Sequence, residues 1–133
     1  MLLNIKSGRG VKQRANEDIV ILGSSLHKVE QLNLDFVYTD MHAYDQWASF
    51  YSDLNHLGEV DWPILQTRNF ARDLNDPAKF ERYQAEALVK QHCPINALVG
   101  IACYNTRVEQ ELKHHIQQRN MNLDVIVRPG WYF

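Results

Sequence analysis

Short apolar runs recur along the chain, and each has the length of a β-strand. Residues 19–22, 36–40, 98–104 and 123–127 are rich in β-branched and aromatic side chains, which predicts four strands. The first run contains no polar residue, so we expect its strand to be buried on both faces of a sheet. Within the third run, Gly100 predicts a β-bulge.

Apolar residues at helical spacing predict helices between these strands. Leu26 and the apolar residues three and six positions later predict a short helix, with a serine before it as the N-cap. Val108 and the apolar residues four and eight positions later predict a longer helix. Thr106 and Glu109 have the spacing of a capping box at its start, and Asn120 can end it in the left-handed conformation.

The centre of the chain has a weaker pattern. Residues 41–60 are helical or irregular, and four of them fall at helical spacing, which predicts a place in the core for Trp47, Phe50, Tyr51 and Leu54. Pro63 suits the first turn of a helix, and residues 73–78 predict a polar turn. Residues 80–89 are ambiguous, because Ala, Glu and Gln favour a helix locally while tertiary contacts can override that preference.

Together these elements predict an α+β or mixed α/β fold. The chain has 133 residues, the size of one domain, and 45% hydrophobic and 23% charged residues are typical of a globular protein. No apolar run approaches the roughly 20 residues of a membrane span. No signal-peptide pattern opens the chain, so we expect a cytoplasmic protein with no membrane partner.

Charge is distributed unevenly, although the formal net charge is only −2. Residues 1–16 contain bases and no acid, residues 17–76 are strongly acidic, and residues 77–133 are weakly basic. A protein that coats DNA nonspecifically should be basic overall, so that class is excluded. The basic loop predicted at residues 6–17 is either a solvated, mobile segment or a surface that attracts phosphates.

Familiar catalytic and metal motifs are missing from the sequence. It has no glycine-rich phosphate-binding motif and no GxSxG nucleophile motif. Two cysteines do not make a disulfide framework, so we expect a reducing compartment. The histidines and cysteines fit no zinc-finger spacing, so we expect no metal at His92, Cys93, Cys103, His114 or His115.

Two residues remain as candidates for chemistry. His42 follows the strand predicted at residues 36–40, where loops at strand ends often carry function. Glu86 stands among alanines and apolar residues, where an unpaired buried carboxylate would be costly. Each residue has two interpretations: a structural side chain with satisfied hydrogen bonds, or a catalytic or ligand-orienting group.

Seven segments, taken in order, resemble the DarT domain. DarT proteins are toxins that ADP-ribosylate thymidine in single-stranded DNA. The resemblance begins with NEDIVILGSSL and FVYTDMHA, continues with FYSDL, VDW, RYQAEALV and IACYN, and ends with VRPGWYF. The order and spacing of these segments agree across nearly the whole chain.

The resemblance implies an ADP-ribosyltransferase-like split β core with flanking helices and NAD as the co-substrate. Within the family's pattern, the catalytic glutamate falls on Glu86. Its carboxylate would hold the ribose and stabilise the positive charge that develops as the nicotinamide bond breaks. His42 and Arg82 would approach the DNA or the reacting base, and Tyr83 and Tyr38 would add stacking surface for a single strand.

The resemblance also implies that residues 1–133 form a single, partial domain without the N-terminal half that carries a catalytic arginine and much of the NAD pocket. We therefore expect impaired transferase activity. Exposed sheet edges would favour a homodimer, and a toxin would have an antitoxin partner. The alternative is a non-catalytic module that binds single-stranded DNA or a partner protein through the basic loop, His42 and Arg82. A folded remnant without either function is the third interpretation.

Overall fold

A computed structural model describes residues 2–67, 69 and 71–132 of the chain. The chain divides into two compact units. We call Met1–Ser25 together with Pro94–Phe133 the split unit, because the two ends of the chain form it. We call Leu26–Cys93 the inserted unit, because it interrupts the split unit in sequence. Both units contain helices and sheets, which confirms the α+β class.

The split unit is built on a three-stranded sheet of order β1-β5-β6. Strand β1 (Ile21–Gly23) pairs antiparallel with β5 (Gly100–Cys103), and β5 pairs parallel with β6 (Asp124–Val127). Parallel neighbours need a crossover connection, which helix α5 (Thr106–Gln118) supplies. The run of strand-forming residues at each of these places therefore produces a strand, as its pattern predicts.

The apolar core of the split unit lies between this sheet and α5. Its buried members form one cluster: Ile101, Cys103, Val108, Ile116 and Val125. The partly buried Leu112 of α5 also packs against this cluster. Burial raises the pKa of the Cys103 thiol. Nearby, the hydroxyl of Tyr132 reaches two backbone carbonyls, those of Ile19 and Ala102, both at 3.0 Å.

Three local predictions for the split unit are wrong in detail. Strand β1 is a sheet edge, so it is not buried on both faces, and Leu22 is 58% exposed. Gly100 keeps the regular strand register; a Cβ there would lie 3.0 Å from the Asp124 carbonyl oxygen, so close strand approach explains the glycine. The N-cap of α5 is Asn105, whose side chain accepts from the Val108 amide at 3.1 Å, one residue before the predicted Thr106.

The N-terminal segment of the split unit is more ordered than the predicted loop. Helix α1 (Leu2–Ser7) extends into that loop, and a 3₁₀ helix (Asn16–Asp18) ends it. At the other end of the unit, Asn120 adopts φ 50° after α5, which confirms the predicted left-handed stop. A final 3₁₀ helix spans Pro129–Trp131.

The inserted unit has its own antiparallel sheet, of order β3-β2-β4. Its strands are β2 (Phe36–Thr39), β3 (Phe50–Tyr51) and β4 (Ala87–Val89). Its helices are short: α2 (Leu26–Gln31), α3 (Trp62–Thr67), α4 (Lys79–Arg82) and the 3₁₀ helix Leu54–Glu59. A further 3₁₀ helix, Ile95–Ala97, belongs to the split unit. Pro63 stands in the first turn of α3, as predicted.

Two expectations for the inserted unit meet different outcomes. The helical spacing at residues 47–54 does not form a core helix, because Phe50 and Tyr51 belong to a strand whose successive side chains face opposite sides. The ambiguous segment at residues 80–89 divides between the end of α4 and the whole of β4. Among the residues that the structure describes, no helix has both the length and the apolar character needed to cross a bilayer.

Candidate active site

The pairing of β2 with β4 brings the two sequence candidates to one place in the inserted unit. In this antiparallel pair Tyr38 lies opposite Ala87, so the end of β2 meets the start of β4. Glu86 immediately precedes β4, and the segment that carries His42 immediately follows β2. We call residues 40–49, which connect β2 to β3, the aromatic loop.

Thr39, the last residue of β2, fastens this junction. Its side chain is buried, and its backbone amide donates to the Glu86 carbonyl oxygen at 2.9 Å. Its hydroxyl donates to the Met41 carbonyl oxygen at 2.6 Å and accepts from the Glu86 amide at 3.2 Å. A single hydroxyl therefore joins the backbone of Glu86 to the backbone at Met41, just after β2.

The carboxylate of Glu86 is exposed, and it accepts a hydrogen bond from the Ala43 amide at 3.3 Å. The apolar neighbours of Glu86 in the sequence suggest a buried carboxylate, which would be costly, but the structure leaves this carboxylate in contact with solvent. Glu86 is therefore not a buried charge. It does not lie on a helix, and its carboxylate contacts the protein as well as solvent. It is an accessible carboxylate that the aromatic loop orients from one side.

His42 is held at both its backbone and its ring. Its amide donates to the Glu81 carbonyl oxygen at 2.9 Å, and its Nδ1 accepts from the Tyr44 amide at 3.0 Å. An imidazole that accepts at Nδ1 carries its proton on Nε2 when neutral. The ring therefore has a donor, Nε2–H, available on its other side.

Arg82 is engaged by two carboxylates of the inserted unit. Its Nε donates to Asp61 at 2.9 Å, and its Nη1 and Nη2 donate to the two oxygens of Asp76 at 3.1 and 2.5 Å. The bond to Asp76 raises the pKa of Arg82, and the same bond lowers the pKa of Asp76. A DNA contact by Arg82, as the resemblance implies, would share the five N–H donors of the guanidinium with these two carboxylates.

The two tyrosines expected to stack on DNA differ in position. Tyr83 is partly exposed, and its hydroxyl shares a 2.7 Å hydrogen bond with Thr67 Oγ1. Tyr38 is only 2% exposed; its hydroxyl donates to the Asp53 carbonyl oxygen at 2.9 Å and its ring packs 5.4 Å from that of Tyr51. Burial raises the pKa of Tyr38. The prediction of Tyr38 as stacking surface is therefore wrong, because its ring is enclosed within the unit.

Sequence reasoning missed the aromatic residues that are accessible. Tyr44 is 94% exposed and Trp47 is 75% exposed, and both lie in the aromatic loop. Asp45 accepts from the Trp47 amide at 2.8 Å, and aspartate hydrogen-bonded two residues ahead is a turn signal. Asp45 is therefore a turn signal in the sequence, and it competes there with the helical spacing of Trp47.

Two shallow cavities lie at the opposite end of the β2–β4 pair. One has a volume of about 330 Å³ and is lined by residues 35–37 and 88–90. The other, of about 450 Å³, is lined by residues 34–36 with Ser52 and Lys90. The ion pair between Lys90 and Asp35, at 3.2 Å, joins the strands there. Neither of these two cavities includes Glu86.

Within residues 2–67, 69 and 71–132 the structure shows no cluster of side chains that could bind a metal ion. No group of three or more His, Cys, Asp or Glu side chains converges there. The acids near Glu86 accept backbone or arginine hydrogen bonds instead, as Asp40 does from the Ser49 amide at 2.9 Å. The arrangement offers an oriented carboxylate beside an imidazole donor and exposed aromatic rings.

Comparison with known families places the chain in one of them. Over residues 1–133 the chain matches the family described as ssDNA thymidine ADP-ribosyltransferase, DarT. The chain belongs to the DarT family. DarT relatives include a DNA ADP-ribosyl transferase of Escherichia coli, 56% identical over 134 residues. Another, from Thermus sp. (strain 2.9), is 33% identical over 135 residues.

The chain is shorter than these DarT relatives. The matches cover 100% of this chain but 62% of the Escherichia coli protein and 63% of the Thermus protein. The chain therefore spans less than two thirds of the length of either relative.

Solved DarT structures have the same fold. Thermus sp. 2.9 DarT in complex with NAD⁺ superposes with a TM-score of 0.89 and 32% sequence identity, covering 99% of this chain and 66% of that one. The same protein in complex with ADP-ribosylated single-stranded DNA gives a TM-score of 0.88 and 32% identity, covering 99% and 63%. The match confirms the expected DarT ADP-ribosyltransferase fold.

Proposed function

We propose that this chain takes part in transferring ADP-ribose from NAD⁺ to thymidine in single-stranded DNA, with Glu86 as the catalytic residue. The observation that carries the proposal is the Glu86 carboxylate itself: accessible, and oriented by the Ala43 amide at 3.3 Å. Membership of the DarT family supplies the class of reaction. NAD⁺ and single-stranded DNA, which Thermus DarT binds, are the corresponding substrates.

In the proposed reaction one C1′–N bond of the ribose is exchanged for another. The bond to nicotinamide breaks, and nicotinamide leaves as a neutral molecule with the bonding electron pair. The N–H nitrogen of the thymine ring forms the new bond to C1′ and loses its proton. Positive charge develops on the ribose as nicotinamide leaves, so an adjacent carboxylate lowers the energy of the transition state.

The contacts of His42 and Glu86 support one division of the proton steps between them. Neutral His42 uses Nδ1 to accept the Tyr44 amide hydrogen, so its Nε2 carries a proton and has no lone pair for another. Glu86 therefore accepts the thymine proton, and His42 donates a hydrogen bond from Nε2 to the base or to the ribose. Thr39 keeps Glu86 in place through the hydroxyl described above.

The test incubates the 133-residue chain with labelled NAD⁺ and a thymidine-containing single strand. Glu86→Gln keeps the shape of the side chain and its bond from Ala43 but removes the charge. We expect incorporation to fall about 100- to 1,000-fold, the usual effect of removing one group that stabilises a transition state. Glu81→Gln, on the neighbouring helix α4, is the matched control and should retain the activity of the parent chain.

Two results would contradict the proposal. Equal incorporation by the parent and Glu86→Gln would remove Glu86 from the reaction. Binding of single-stranded DNA with no incorporation would support the alternative, a non-catalytic binding module.

The homodimer and the antitoxin partner also stay predictions. Leu22 on the edge strand β1 is an exposed apolar side chain that a second copy could cover. Sedimentation of the chain at micromolar concentration tests the dimer, and a clean monomer would contradict it.

A further inference from the structure

The aromatic loop keeps two large rings in solvent. Tyr44 and Trp47 are the most exposed aromatic side chains among the exposed large hydrophobics that the structure describes. Leaving a large apolar side chain exposed forgoes the free energy that its burial would contribute. Two such side chains on one ten-residue connection therefore indicate a surface made for contact.

Hydrogen bonds within the loop hold this arrangement. Besides the Tyr44–His42 and Trp47–Asp45 bonds already described, the Asp45 amide donates to the His42 carbonyl oxygen at 2.9 Å. The Ala48 amide donates to the Asp45 carbonyl oxygen at 3.1 Å. Both aromatic residues therefore stand on consecutive turns whose backbone is fixed, so little conformational entropy is lost when the rings bind something.

The loop that carries the exposed rings also contacts the candidate catalytic residue. Ala43, which donates to the Glu86 carboxylate, directly precedes Tyr44 in the chain. His42, which accepts from the Tyr44 amide, lies on the same turn. The backbone that carries Tyr44 therefore starts one residue from the amide that contacts the Glu86 carboxylate.

The charge of the loop excludes a phosphate-binding surface. Residues 40–60 contain acids and histidines but no lysine or arginine. Phosphate contacts depend on cations, whereas base stacking on aromatic rings does not. The chemistry of the loop therefore suits the faces of unpaired bases and disfavours the backbone that links them.

We propose that Tyr44 and Trp47 form a stacking platform for the bases that flank the modified thymidine of single-stranded DNA. This proposal rests on the proposed function, because Glu86 defines where the reacting base lies. It replaces Tyr38, whose ring is buried, with two rings that are accessible. Tyr44 and Trp47 are positioning residues, which hold the DNA while Glu86 acts on the transition state.

The test measures binding of the intact chain to a fluorescently labelled, thymidine-containing single strand by anisotropy. Tyr44→Ala and Trp47→Ala should each weaken binding about 5- to 150-fold, which corresponds to the usual contribution of one stacked base. The slope of affinity against salt should stay unchanged, because neither substitution removes a charge. In the transfer assay both variants should raise the KM for the oligonucleotide.

Three controls separate stacking from other effects. Trp47→Phe keeps an aromatic face and should retain most of the affinity. Leu74→Ala removes an equally exposed apolar side chain elsewhere in the inserted unit and should bind as the parent does. A strand with abasic sites beside the thymidine should bind the parent weakly, and Trp47→Ala should weaken it no further.

Intrinsic fluorescence reports on Trp47 directly. The chain has three tryptophans, and the DNA-dependent quenching of their emission should disappear in Trp47→Phe although DNA still binds. A Trp47 shielded from acrylamide in the DNA-free chain would mean that protein already covers the ring, which would overturn the platform.

The outcomes distinguish this proposal from the proposed function. Parent-like DNA affinity in both alanine variants would overturn the platform, even if Glu86→Gln abolishes transfer. Weakened binding in those variants, combined with unchanged transfer in Glu86→Gln, would support the platform and overturn Glu86 as the catalytic residue.

Discussion

Each of the two units is stabilised internally by a different kind of interaction. In the split unit a cluster of buried apolar side chains packs between the sheet and α5. In the inserted unit the buried residues include Tyr38, Thr39 and Lys79, and hydrogen bonds to loops fix the ends of its strands. Apolar packing tolerates small shifts of side chains, whereas hydrogen bonds fix atoms to within tenths of an ångström.

This difference explains where the candidate chemistry lies. Glu86, His42 and the aromatic loop all belong to the inserted unit, whose short strands leave much of the chain in connections. Polar networks orient a side chain without burying it, so the carboxylate stays accessible. We therefore expect the split unit to contribute most to stability and the inserted unit to carry the proposed chemistry, and the following substitutions test that expectation.

The largest effect is expected in the core of the split unit. Ile101→Ala removes a buried side chain and leaves a cavity, so we expect the free energy of unfolding to fall by about 2–5 kcal/mol in urea denaturation. Leu22→Ala is the matched control, since Leu22 is the β1 partner of Ile101 but is exposed. Both side chains lie on the same face of the sheet, because the two residues are direct cross-strand partners. A change of similar size in both variants would therefore contradict a core that is buried at the central strand β5 and exposed at the edge strand β1.

The next largest effect is expected at Thr39. Thr39→Val keeps the shape but removes the hydroxyl, so the Met41 carbonyl and the Glu86 amide lose their partner, which costs about 1–3 kcal/mol. Transfer activity should fall as well, because Glu86 is no longer fixed. Thr39→Ser restores the hydroxyl and should restore activity. Equal activity of the Val and Ser variants would show that Thr39 does not position Glu86.

Arg82 tests the ion pairs of the inserted unit. Arg82→Met keeps the apolar stem but removes both contacts to carboxylates, so we expect a loss of about 1 kcal/mol in unfolding free energy. Arg107→Met, which breaks an exposed i,i+4 pair with Glu111, should cost at most about 0.5 kcal/mol. A smaller loss for Arg82→Met than for Arg107→Met would contradict a structural role for the Arg82 network.

The smallest expected effect is the dependence of stability on low pH through Asp76. Bonding to Arg82 lowers the pKa of Asp76 below its ordinary value of 3.8. Its stabilisation is therefore complete above that value and is lost as the pH falls through the folded-state pKa. Asp76→Asn should remove this part of the acid sensitivity, measured as the unfolding midpoint between pH 5 and about pH 2. Asp35→Asn, which breaks an exposed pair with Lys90, is the comparison variant. An unchanged acid profile in Asp76→Asn would contradict the coupling.

Local patterns predicted the elements that local physics determines. Four strands and the helices α2 and α5 follow from runs of β-branched residues or from apolar spacing, and all appear near their expected bounds. Strand β3 does not follow from such a pattern, because Tyr51 joins the sheet through its pairing with Tyr38. Strand β4, at residues 87–89, likewise depends on β2 as a partner. Pairing with β2 determines that these two segments are strands, so the residues next to them in sequence give no clear indication of a strand.

The site was predictable in its residues but not in its geometry. Glu86 and His42 were both singled out, yet their proximity depends on the antiparallel register of β2 and β4. Tyr38 was misplaced, because an aromatic residue on a strand looks the same in sequence whether its ring is enclosed or accessible. Tyr44 was not considered, because its exposure depends on turns that the His42 ring and backbone complete.

The interrupted topology of the split unit has a consequence for how the chain acquires its structure. Strand β1 pairs with β5, so this contact must wait until residues 26–93 have been synthesised and their ends brought together. Closing that long loop costs entropy, whereas β5, α5 and β6 are contiguous and can assemble early. The inserted unit is continuous in sequence and so is complete on the ribosome before its host. Docking of β1 is therefore expected to be a late, slow step in biogenesis.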